Sequence, residues 1–263
     1  MTNTTDPVLY KLENRVAIVQ LNQPETRNAM TPEMGRALVD AIDRASKEAG
    51  AIALLGSDKA FCAGANLKSS RMDTPRKELD MGENLQHIFN PLLLSIRDLP
   101  IPIVSGISGA AAGVGCSIAL MGDIIVAGKS AFFLQAFANV GLVPDGGAAY
   151  ILSKSVGRVR AMELMLLGER YPAQQAYEDG LITKVVEDNE VTESTIEYAT
   201  KLAHGPSVAL GIIRRSAWKS LDSSFSVQLD RDRRNQKTAG QTEDFQEGVA
   251  AFRERRSAKF NGK

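Results

Sequence analysis

Histidine and cysteine are nearly absent from the chain: His87, His204, Cys62 and Cys116 are the only ones in 263 residues. Two cysteines cannot build a disulfide scaffold. Two histidines and two cysteines at these spacings do not assemble a zinc site either, so no metal ligands are expected. A surplus of charge is missing as well, because 31 Lys+Arg balance 31 Asp+Glu. A nucleic-acid partner would call for a basic excess, and none is expected. The first residues carry neither a basic nor an apolar signal segment, so a cytoplasmic location is expected. One stretch, between Asp98 and Asp123, runs 24 residues without a charge, long enough to cross a bilayer. It contains five Gly, three Ser and two Pro, and Pro100 and Pro102 would break a single helix. A buried strand, a Gly-rich turn and a core helix fit it better than a membrane span. Chemistry in this chain must therefore run on carboxylates, hydroxyls and backbone.

Residues 8–12 and 15–21 read as a hairpin turning at Glu13-Asn14. Thr31-Pro32 is a helix start, and Met34, Ala37, Leu38, Ala41, Ile42 and Ala45 recur at helical spacing up to a stop at Gly50. Short apolar strands are expected at 51–55, 103–105 and 123–127, with a helix near 114–121. This alternation predicts a βα superhelix or layered α/β core. Beyond about residue 145 the pattern is mainly helical: 146–154, 158–167, 173–179, 191–204, 207–220, 224–239 and 243–256, with a strand at 181–186. The expected division is a spiral core over 1–200 and a helical region over 201–263. The last stretch, Arg231 to Lys263, has nine Lys/Arg against five Asp/Glu, either a solvated face or a dock for an anionic group.

Three small-residue stretches can bring backbone close to a ligand. The first is FCAGANLK, 61–68, where free N–H groups suit an oxyanion and Lys68 a phosphate. The second is SGAAAGVGC, 108–116, opening a helix whose first N–H groups lack partners. It is no dinucleotide fingerprint, since Ile118 stands where the third glycine belongs, and it is neither a phosphate-binding P-loop nor a nucleophile elbow. The third is GLVPDGG, 141–147, where Asp145 reads either as a helix N-cap or as a carboxylate of raised proton affinity suited to base work.

In this order the motifs resemble the crotonase, or enoyl-CoA hydratase/isomerase, superfamily. The likeness runs from PETRNAM through GAAAGVGCSIALMGDIIVA and GLVPDGGAAYIL to the closing FQEGVAAFRERRSAKFNGK. It implies an α/β spiral of ββα units with a C-terminal helical region that forms a homotrimer or a dimer of trimers. It implies an acyl-CoA substrate, with coenzyme A part of the substrate and no separate cofactor. By motif position the oxyanion hole would be the N–H groups of Ala65 and Val114. Arg27, Ala29, Ala63, Asn66, Leu67 and Lys68 would contact the CoA, Phe137 the substrate. Lys259 and Phe260 would close over the CoA, commonly from a neighbouring subunit.

Hydratases of the family hold one water between two glutamates, and the matching positions here are Ser117 and Phe137. Asp145 remains, in the place where isomerases of the family carry one carboxylate. The QAF and GLVPDGG motifs are most similar to ring-1,2-epoxyphenylacetyl-CoA isomerases, although Ala148 replaces their usual Thr. The resemblance thus favours an isomerase, with enoyl-CoA hydratase as the alternative. Two lesser readings remain: an aryl-CoA dehalogenase drawing on His87 in the charged segment 69–87, itself expected to form a lid or a second helix, and a non-catalytic CoA-ester or RNA-binding relative.

Overall fold

The computed structural model describes residues 5–66, 75 and 78–263. The chain opens with the hairpin β1 (Val8–Glu13) and β2 (Val16–Leu21). Its turn is Asn14-Arg15, both at positive φ (47° and 64°), one residue later than the sequence suggested. Two left-handed residues in a row match the twist of an antiparallel pair, and Asn tolerates the first. Helix α1 (Pro32–Glu48) follows, with the Thr31 side chain accepting from the Met34 N–H and Met34, Leu38, Ala41, Ile42 and Ala45 buried. Gly50 does not end this helix by a left-handed turn. It is glycine because a Cβ there would lie 2.6 Å from the Ala203 carbonyl oxygen.

Strands β3 (Ala51–Leu55), β5 (Ile103–Ile107), β7 (Ile124–Gly128) and β10 (Lys184–Val186) extend the hairpin into a six-stranded sheet of order β1-β2-β3-β5-β7-β10. All pairings beyond the hairpin are parallel. Every residue of β3 and β5 is buried, as expected for parallel strands covered on both faces. One face packs Ala51, Ala53, Val104 and Val126 on helix α7 (Val191–Ala203). The other puts Ile52, Leu54, Ile103 and Ile107 into the main core, each worth about 1.5–3 kcal/mol relative to exposure.

A second sheet, absent from the sequence reading, lies beyond the first. It contains β4 (Ala60–Cys62), β6 (Ala110–Ala112), β8 (Phe132–Leu134) and β9 (Tyr171–Pro172) in that order, the first three parallel. Each winding of the spiral thus places one long strand in the first sheet and one short strand in the second. The uncharged stretch forms β5, β6 and the short helix α3 (Val114–Ala119). No helix among the described residues is long and apolar enough to cross a membrane. Between β4 and β5, a π-helical turn (Leu85–Phe89) runs into α2 (Asn90–Arg97).

The expected helices after residue 145 are present: α4 (Ala148–Ser155), α5 (Gly157–Leu167), α6 (Ala173–Glu178), α7, α8 (Ser207–Ser220), α9 (Phe225–Ala239) and α10 (Glu243–Glu254). The expected division at residue 200 falls within α7, which lies on the main sheet. Helix α8 is tied to the core by Arg214, whose guanidinium donates to Asp123 Oδ2 at 2.7 Å and to the Arg97 carbonyl at 2.7 Å. Asp123 Oδ2 also accepts the Ile103 N–H at 2.8 Å. Burial pushes the Asp123 carboxyl up, and Arg214 opposes this. Arg214→Ala should lower stability to urea unfolding by roughly 3 kcal/mol, because it strands a largely buried carboxylate; a loss under 1 kcal/mol would mean that α8 docks without the pair.

Candidate functional site

Strands β4, β6 and β8 run parallel and side by side, so the turns leaving their carboxyl ends converge. The first two carry Gly64 (φ 96°) and Gly113 (φ 52°). A Cβ on Gly64 would lie 3.1 Å from the Ala112 carbonyl oxygen, and one on Gly113 would lie 3.6 Å from Gly64 Cα. Both positions therefore need glycine for their conformation, and Gly64 for the close contact as well. The Gly113 N–H donates to the Leu134 carbonyl at 2.9 Å, tying the β6 turn to β8. Met30 clamps the other turn, donating to the Gly64 carbonyl at 2.7 Å and accepting the Asn66 N–H at 2.9 Å. These bonds fix the peptides around Ala65 and Val114. Among the described residues, neither the Ala65 nor the Val114 N–H donates a hydrogen bond. Val114 is the first residue of α3, where no intrahelical acceptor exists. Both residues line one cavity of about 570 Å³.

The β8 turn delivers Asp145 to the same cavity. The N-cap alternative fails: the cap position of α4 is Gly147, with no side-chain cap bond. Asp145 contributes only its main-chain oxygen to the local fold, accepting the Ser117 hydroxyl at 3.2 Å and the Ala148 N–H at 3.0 Å. Its carboxylate is half-buried, and Oδ1 is buried with no hydrogen-bond partner among the described residues. Loss of water around the carboxylate pushes its pKa up to about 6. It is the one ionisable side chain among the described lining residues.

The two positions that hold glutamates in hydratases offer nothing comparable. Ser117 is fully buried, and its hydroxyl donates to the Asp145 carbonyl. Phe137 lines the cavity, its ring Cζ 3.6 Å from where a Gly113 Cβ would stand.

Ala63 and Asn66 also line the cavity. Arg27 is exposed, its carbonyl accepting the Ala63 N–H at 3.0 Å, and neither Arg27 nor Ala29 is among the lining residues. Leu67 and Lys68 lie outside the described residues, as do 69–74, 76 and 77 of the expected lid segment. His87 is exposed on the π-helical turn and does not line the cavity. Lys259 and Phe260 fold back on α10 of their own chain: the Lys259 N–H donates to Glu247 Oε1 at 2.7 Å, and Phe260 packs beside Gly248. Cys62 and Cys116 are buried, and burial pushes their thiols up to about 11 and about 12. Among the described residues no three His, Cys, Asp or Glu side chains gather as a metal site.

Two features escaped the sequence reading. Asn28, fully buried at φ 54°, donates to the Ala60 and Phe61 carbonyls and accepts the Gln23 N–H, which ties the PETRNAM loop to β4. An Asn in a loop carried that signal only through its tolerance of the left-handed region. The second is the wall of Leu85, Phe89 and Asn90, brought together by the π-helical turn.

The Asp145 environment carries a stability cost whose sign follows from its shift. The folded pKa is raised from 3.8 to about 6, so folding disfavours the ionised form; the cost is absent below 3.8 and full above about 6. Asp145→Asn should therefore stabilise the fold by roughly 2 kcal/mol at pH 7. In urea unfolding the gap should close as pH falls from 7 to 4. A variant less stable than the parent at pH 7 would contradict this.

Comparison with known proteins places the chain in a family. Residues 11–263 match the family model described as enoyl-CoA hydratase/isomerase. The 1,2-epoxyphenylacetyl-CoA isomerase of Escherichia coli is 36% identical over 258 residues, covering 97% of this chain and 98% of that protein. The mitochondrial enoyl-CoA hydratase of Pongo abelii is 32% identical over 257 residues, covering 94% of this chain and 84% of that protein. Among solved structures, an enoyl-CoA hydratase from Polaromonas sp. superposes with a TM-score of 0.89 at 31% identity, covering 97% of this chain and 99% of the other. Relatives of both reaction types are thus similar over nearly the whole length, and the chain belongs to the enoyl-CoA hydratase/isomerase family, with the crotonase fold.

Proposed function

We propose that this chain is an isomerase of acyl-CoA thioesters that works with two backbone N–H donors and one aspartate base. The observation that carries the reading is the isolation of Asp145: a half-buried carboxylate with no hydrogen-bond partner among the described residues, in a cavity also lined by Ala65 and Val114, whose N–H groups donate to none of the described residues. The thioester carbonyl oxygen accepts from both N–H groups. Fixed donors aimed at an oxygen that gains charge stabilise the enolate, each worth about 10²–10³ in kcat. They thereby acidify the carbon next to the carbonyl. Asp145 takes that proton, holds it as a carboxylic acid, and returns it to a different carbon of the dienolate. Coenzyme A enters as part of the substrate, and no separate cofactor takes part.

A base near pKa 6 is mostly ionised at pH 7 and is a stronger proton acceptor than an ordinary aspartate. Hydration asks for more: one group to activate water and one to protonate carbon. Asp145 is the single ionisable group among the described lining residues, with Ser117 and Phe137 at the hydratase positions. The similarity to the Escherichia coli 1,2-epoxyphenylacetyl-CoA isomerase supports the same choice. Two substrate types belong to this reading: an enoyl ester whose double bond shifts, and an aryl-epoxide CoA ester converted to an oxepin. Self-association through the C-terminal helices belongs to the same reading, supported by the exposed Ile213, Phe225, Leu229 and Phe252 on α8, α9 and α10.

Asp145→Asn should reduce conversion of a 3-enoyl-CoA, and exchange of its transferable proton with D₂O, by about 10²–10⁴. In the parent, kcat/KM should rise with pH through an apparent pKa near 6 and then level off, since the ionised form is the active one. Undiminished exchange in the variant, or hydration of a 2-enoyl-CoA as the fastest reaction of the parent, would overturn the proposal.

A further inference from the structure

The turn that carries Asp145 is weakly held by its own bonds. Leu142 and Val143 before it are exposed, and Gly146 and Gly147 after it have positive φ (60° and 74°). Among the described residues, positions 143–146 enter hydrogen bonds only through the Asp145 carbonyl. That oxygen accepts the Ala148 N–H at 3.0 Å and the Ser117 hydroxyl at 3.2 Å. The first bond is local, made by the start of α4. The second comes from α3, 28 residues back in the chain.

Helix α3 is the opposite case. All six of its residues are buried, and Gly115 lies so close to β4 that a Cβ there would stand 2.6 Å from Cys62 Cβ. Its start is fixed by the Gly113 N–H on the Leu134 carbonyl at 2.9 Å and by the Ser117 N–H on the Gly113 carbonyl at 3.2 Å. Val114 and Ser117 stand three residues apart, so they share one face of the helix at about 4.5 Å along its axis. Ser117 is fully buried and does not line the cavity, so its hydroxyl does not meet the substrate. A Cβ on Gly146 would lie 2.9 Å from Ser117 Cβ and Oγ, and the turn therefore settles directly on the serine.

We infer that Ser117 is a positioning residue: by holding the Asp145 carbonyl it fixes where the Asp145 carboxylate stands relative to the Val114 N–H on the same helix. One rigid element then carries both the oxyanion donor and the anchor of the base. Their spacing no longer depends on the exposed residues and two glycines of the turn. Proton transfer to and from a bound dienolate is sensitive to such spacing, because the base must lie within hydrogen-bond reach of two different carbons. Ser117 acts through the backbone of Asp145 and takes no proton itself. The inference rests on the isomerase reading of the cavity.

The test is Ser117→Ala in the full-length protein, which removes one oxygen and keeps the Cβ that Gly146 packs on. With a 3-enoyl-CoA, kcat should fall about 3–10-fold, the worth of one hydrogen bond, while KM stays within about twofold. The pH midpoint of kcat/KM should move down from near 6 toward 3.8, because a loosened carboxylate regains water. In an Asp145→Asn background the same substitution should cost nothing further, since no base is left to position. A purely structural serine would lower the urea midpoint and leave both kcat and the pH midpoint of the folded enzyme unchanged, and that result would overturn the inference. Equal losses in the two backgrounds would overturn it as well, by placing the effect on the oxyanion donors. A parent protein that isomerises neither a 3-enoyl-CoA nor an aryl-epoxide CoA ester would instead overturn the isomerase reading, and this inference with it.

Discussion

Parallel pairing of three very short strands is the constraint on which the site depends. β4, β6 and β8 have three residues each, too few to stand alone, and they hold because the long strands β3, β5 and β7 repeat the same parallel order one layer away. Parallel neighbours end on the same side, so their exits crowd together. Positive φ demands glycine at 64 and 113, and at 64 the close approach of the Ala112 carbonyl adds to it. Once those turns are tied down by Met30 and by the Leu134 carbonyl, the peptides of Ala65 and Val114 find no acceptor for their N–H groups among the described residues. An unsatisfied pair of donors in a cavity is costly for the fold and useful for an oxyanion.

The same economy governs Asp145. Its main chain does the structural work, receiving Ser117 and Ala148, while the carboxylate is left without a bond on Oδ1. Pro144 before it and Gly146 and Gly147 at positive φ after it hold the turn open toward the cavity rather than toward the α4 terminus. Desolvation without a compensating partner is what raises its proton affinity. Acid–base capacity and instability are here one and the same property, so a neutral replacement at 145 trades one against the other.

Much of the fold was legible where periodicity is strong. Met34, Leu38, Ala41, Ile42 and Ala45 announce α1, and the helices after residue 145 follow from the same spacing. The second sheet was not legible, because Ala110–Ala112 sits inside a run of glycine and alanine that shows neither alternation nor β-branched side chains. The hairpin turn was misplaced by one residue, since Arg15 at φ 64° has no composition signal. At the site, Ala65, Val114, Phe137 and Asp145 were named by family motif and do share a cavity. The sequence chemistry alone left Asp145 divided between cap and base. The position of Gly147 at the head of α4 removes the cap reading. Arg27, Ala29, Lys259 and Phe260 are not among the residues that line this cavity.

Everything at the site turns on Asp145 being a desolvated carboxylate, without a partner among the described residues and with raised proton affinity. A ¹³C NMR titration of its carboxyl carbon, assigned by comparison with Asp145→Asn, tests this without any substrate. The midpoint should fall near 6. A midpoint at the ordinary 3.8 would show a solvated or paired carboxylate and would contradict the account.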